Sequence, residues 1–69
     1  MIAHCARIGH GIDAEGRTSI VLYWWEDGQL HSQVAFARPS DVESKCDGEV
    51  RWHKTRRQAV DAARGDGEL

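Results

Sequence analysis

The chain has 69 residues, 41% of them hydrophobic and 29% charged, and a net charge of −2. That length suits one small domain, which buries about 60% of the surface its unfolded form exposes, and it argues against a roomy, dry catalytic cleft beside the core. The balance of charge is neither that of a strongly basic nucleic-acid binder nor that of a heavily acidic nucleic-acid mimic.

Residues 2–8 alternate loosely between two faces, with Ile2, His4, Ala6 and Ile8 on one and Ala3, Cys5 and Arg7 on the other. This is a strand pattern. Gly9, Gly11, Gly16 and the run Asp13-Ala14-Glu15-Gly16 then read as a wide turn. From Thr18 to Glu26 the β-branched and aromatic content gives the clearest strand in the chain. Asp27-Gly28 is a two-residue hairpin turn, because a type I′ turn needs positive φ at both positions and this pair tolerates it. A third strand over 30–37 follows, ended by Pro39.

Ser40-Asp41-Val42-Glu43 has the spacing of a capping box and predicts a short helix over 41–46, stopped by Asp47-Gly48. Residues 49–53 alternate again around Val50 and Trp52, as a short fourth strand would. Thr55-Arg56-Arg57-Gln58 is a second capping box, opening a helix to about Arg64 with Gly65 placed as its C-terminal cap. The expected fold class is therefore α+β: a small antiparallel sheet of three to four strands with one short and one longer helix, in the order ββ-β-α-β-α. Residues 1–65 form the single domain in this reading, and 66–69 a frayed tail.

Two adjacent tryptophans at the end of the second strand raise the central question. Neighbouring strand residues point to opposite faces, so Ile20, Leu22 and Trp24 line one and Val21, Tyr23 and Trp25 the other. A half-exposed antiparallel strand should alternate apolar with polar; one covered on both sides need not. Either a helix covers each face, or the Val21/Tyr23/Trp25 face is completed by a second copy or a different protein. Short helices offer little cover, and tryptophan and tyrosine dominate many interfaces, so the sequence favours Trp24 as core and the Val21/Tyr23/Trp25 face as a docking surface.

The segment Arg51-Trp52-His53-Lys54-Thr55-Arg56-Arg57 concentrates positive charge in an otherwise acidic chain. Arg56 and Arg57 in the first turn of the last helix, with free backbone N–H groups, would suit an anion, and Trp52 would offer a stacking surface. The candidate partner-binding residues are thus Val21, Tyr23, Trp25, Arg51, Trp52, Lys54, Arg56 and Arg57. His4, Cys5, His10, His31, Cys46 and His53 lack metal-ligand spacing, so no metal is expected. Neither a nucleophile elbow nor a phosphate loop is present, so no catalytic residue and no cofactor are expected.

Cysteine usage and the lack of an apolar leader favour a reducing cytoplasm, and the apolar run Ile20–Trp25 is too short to span a bilayer, so no membrane partner is expected. The leading functional expectation is a small non-enzymatic binding protein. It would be a stoichiometric inhibitor or modulator of a macromolecular partner, of the kind phages and mobile elements use against host machinery, including anti-CRISPR proteins. The competing expectation is a nucleic-acid-binding module using Arg51–Arg57.

Overall fold

A computed structural model describes residues 1–68 of the chain. Its elements are β1 (Ile2–Arg7), β2 (Thr18–Glu26), β3 (Gln29–Ala37), α1 (Pro39–Lys45), β4 (Glu49–Trp52) and α2 (Arg56–Gly65). The α+β class and the order of elements are as the sequence predicts. The strands form one sheet in the order β3-β2-β1-β4. Neighbours are antiparallel except β4, which pairs parallel to β1, so the sheet is mixed.

The hairpin forms at the predicted place. Glu26 pairs with Gln29, and Asp27 and Gly28 adopt φ of 54° and 76°, the left-handed values a type I′ turn requires. The wider β1–β2 connection is organised by Asp13. Its carboxylate accepts hydrogen bonds from the backbone N–H groups of Glu15 and Arg17 and from the Arg17 guanidinium, at 2.8–3.0 Å. These bonds, led by the one from the Arg17 backbone, hold the Asp13 carboxyl below the usual carboxylate range.

The helix starts differ from one another. Thr55 caps α2 as expected, its hydroxyl accepting from the Gln58 N–H at 3.1 Å, and the Gln58 side chain reaches back to the Lys54 N–H. The Ser40 capping box does not form. Pro39 takes the first turn of α1, where its missing N–H costs nothing, and no side chain caps that end. At the far end α2 runs through Gly65, and Asp66 is the C-terminal cap.

Each face of the sheet has its own helix, which explains why β2 is apolar on both. On one face Ala59 and Ala63 of α2 press against Ala6, Val21 and Tyr23. The two alanines are what let the helix lie this close to the strands. On the other face Val42 of α1 packs with Ala3, Cys5 and Ile20, and Leu22, Ala37, Cys46 and Val50 border the cluster. The crossover from β3 to β4 carries α1 across this second face, because β4 joins the sheet at the edge away from β3. No helix among the described residues is long and apolar enough to cross a membrane.

Candidate functional site

The structure corrects the expected docking face. Val21 is buried, and Tyr23 is only 5% exposed beneath α2, so neither is available to another chain. Trp25 on the same face is half-buried. Gly67 lies so close to its indole that a Cβ there would overlap the ring. The segment expected to fray from 66 onward therefore folds back onto the sheet through Gly67 and Asp66, while Leu69 lies outside the described residues. The opposite face is the more open one. Its seven-residue helix buries only Val42, and Trp24 is half-buried, stacked on His31 with ring centroids 5.5 Å apart. A groove of about 450 Å³ opens there, bordered by Leu22, Trp24, Ala35 and Val42. The assignment of Trp24 to the core and Trp25 to an interface is thus reversed in emphasis: α2 and its C-terminal turn shelter the Trp25 face, and α1 is too short to shelter Trp24.

Two of the exposed large hydrophobic side chains lie on the β3 edge, besides Met1, Ile12 and Trp52 elsewhere. Val34 and Phe36 are 63% and 57% exposed. Their register with Val21 and Ser19 places them on the α2 side, but α2 packs over β1 and β2 and leaves this edge open. The Arg17 guanidinium sits over the Phe36 ring at 5.4 Å, a cation–π contact that leaves the outer face of the ring open.

The basic segment is divided rather than gathered. Arg51 is engaged by Glu49, and the Arg56 guanidinium donates to the Tyr23 hydroxyl at 2.7 Å. Arg56 and Arg57 both remain exposed at the start of α2, with the Arg56 guanidinium turned to the Tyr23 hydroxyl. Trp52 and Lys54 instead meet Arg7, Gly9, His10 and His53 around a cleft of about 450 Å³. This cleft lies where β1 and β4 end side by side, a juxtaposition only the parallel pairing creates. The Trp52 indole N–H donates to Glu43 of α1 at 2.7 Å, which fixes its ring at the rim.

Behind the cleft runs a hydrogen-bonded chain that spacing did not reveal. The buried His4 contacts Asp66 through Nε2 at 2.8 Å and His53 through Nδ1 at 2.9 Å. An ionised carboxylate only accepts, so the His4 proton sits on Nε2 and Nδ1 is an acceptor. His53 then donates its Nε2–H to His4, leaving its own Nδ1 as a lone pair. Burial first, then the His4 ring and the Arg51 charge, push the His53 pKa below the ordinary histidine value. Among the described residues no three His, Cys, Asp or Glu side chains are arranged to hold a metal ion.

The cysteines are free, and their environments differ. Burial, with the Cys46 and Glu43 charges adding to it, pushes the Cys5 thiol up to about 11, while Cys46 is half-buried. At pH 8 iodoacetamide is expected to label Cys46 in the native protein and Cys5 only after denaturation, because the thiolate is the reacting species. Peptide mass spectrometry reads the outcome; equal native labelling of both would contradict the burial of Cys5.

No known protein family, curated protein or solved structure matches the chain at a significant level.

Proposed function

We propose that the protein is a small binding protein acting by occupancy, which docks the β3 edge of its sheet on an extended, uncharged segment of a protein partner and so inhibits or modulates it. The observation that carries this reading is the edge itself. β3 is nine residues long, QLHSQVAFA, without Asp, Glu, Lys, Arg or Pro. Sheet edges left open to water are normally blunted by such residues, since unpaired N–H and C=O groups invite another strand. A strand added there continues the ladder, lays alternate side chains on Val34 and Phe36, and turns the others toward the groove beside Trp24. The uncharged edge favours an uncharged strand, because a buried unpaired charge would be costly.

Binding of this kind requires no chemistry from the chain, and a chain so short suits the stoichiometric antagonists that phages and mobile elements encode. The test compares the wild type with a Val34→Lys, Phe36→Lys double variant and an Arg7→Glu, Lys54→Glu control in affinity capture from the source cell. Hydrogen exchange is then measured on the captured complex. The docking reading expects capture lost only in the β3 variant and new protection across Gln29–Ala37. Capture that survives the β3 variant would refute it. A concentration-dependent dimer that this variant dissolves would assign the edge to a second copy instead.

A further inference from the structure

The cleft at the ends of β1 and β4 lies at the edge of the sheet opposite β3, so its role is independent of strand docking. Its lining combines Arg7, His10, His53 and Lys54 with the indole of Trp52, and no carboxylate lines it. Three acids bonded to residues in or beside the cleft are engaged there: Glu49 with Arg51, Glu43 with the Trp52 N–H and Asp66 with His4. A concave, locally cationic site beside a fixed aromatic ring matches one chemical class, a phosphodiester with its base alongside. The site is shallow and open, and an aromatic ring at its rim stacks a base only where that base is unpaired, which favours a single strand. We propose that the cleft binds the backbone of a single-stranded nucleic acid, with Trp52 stacking one base and Arg7, Lys54 and His53 contacting phosphate.

The Asp66–His4–His53 chain gives this site a protonation switch. A proton added at Nδ1 of His53 leaves the Nε2–H bond to His4 intact, so His53 can become cationic without breaking the chain behind it. The groups around it are His4 from β1, Asp66 after α2, Arg51 and Lys54 beside it in sequence, and Arg7 and His10 across the cleft. Of these, Arg51, Arg7 and Lys54 oppose a positive charge on His53 in the empty site. A bound phosphate would counter that opposition, so by linkage the ligand raises the His53 pKa, and affinity rises as pH falls through the histidine range.

The test is fluorescence anisotropy with fluorescein-labelled single-stranded DNA and RNA dodecamers at low salt. Three phosphate contacts predict a slope of log affinity against log salt of roughly −2. The exposed pair Arg7→Glu, Lys54→Glu is expected to weaken binding at least tenfold with an unchanged thermal melt, and Trp52→Leu about fivefold or more. Should the charge-reversal pair fail to fold, Arg7→Gln and Lys54→Gln replace it. Between pH 7.5 and 5.5 the wild type gains affinity. His53→Gln removes most of that gain, and His10→Gln, run alongside because His10 also lines the cleft, removes less. No binding at low salt, binding unaffected by the cleft substitutions, or a gain that persists in His53→Gln would each overturn the proposal. So would displacement of the oligonucleotide by inorganic sulfate as readily as by an unlabelled trinucleotide, which would make the cleft a site for small anions.

Discussion

Tyr23→Ala is expected to remove most of the stability of the folded protein, whereas Trp24→Ala leaves the fold in place. Tyr23 is buried beneath α2 against Ala59 and Ala63, and its hydroxyl accepts from Arg56. Truncating a buried aromatic to alanine typically costs about 3–5 kcal/mol, and a domain of this size has little more to lose. The cavity would lie beneath a helix whose sheet-facing residues are alanines, which are too small to collapse into it. Trp24 faces the short α1 and stacks on His31 at the open side, so its loss removes contacts without opening the core. Thermal melts followed by circular dichroism separate the two. If Trp24→Ala unfolds the protein and Tyr23→Ala does not, the assignment of the covered face is wrong.

The second large effect is expected at Gly48. This residue has φ of 129°, in a region almost exclusive to glycine, and a Cβ there would overlap the Met1 carbonyl oxygen. That same oxygen accepts the Glu49 N–H at 3.0 Å, the bond that starts the pairing of β4 with β1. Gly48→Ala therefore combines backbone strain with a backbone clash, and is expected to cost about 2 kcal/mol or more. Gly28 is a useful contrast, because its φ of 76° leaves a Cβ in open space. Gly28→Ala carries only the left-handed penalty, about 1–2 kcal/mol. Hydrogen exchange distinguishes the two: Gly48→Ala should release the amides of 49–53 selectively. Release confined to the β2–β3 hairpin would count against this account of β4. A loosened β4 would also disperse the cleft, since Trp52, His53 and Lys54 reach Arg7 only through that pairing.

Local chemistry made much of the architecture legible in the chain. Asp27-Gly28 determined a tight hairpin because few other pairs accept two left-handed residues in succession. Thr55 and Gln58 determined the start of α2 because their side chains satisfy backbone donors a few residues away. The two-sided apolar pattern of β2 signalled a strand in need of cover on both faces. The reading it favoured, however, gave the Val21/Tyr23/Trp25 face to another chain, whereas α2 of the same chain covers Val21 and Tyr23. The same pattern could not say which helix lay where, because either face of an alternating strand presents equivalent residues to a helix. Tertiary structure decided that α2 shelters Tyr23 and that α1 leaves Trp24 half-open. It also decided the candidate sites. Arg7 and Lys54 are far apart in sequence and lie beside one cleft because β4 crosses over to run parallel with β1. His4, His53 and Asp66 come from a strand, a loop and a helix end, and no spacing rule connects residues joined only by the closing of α2 over the sheet.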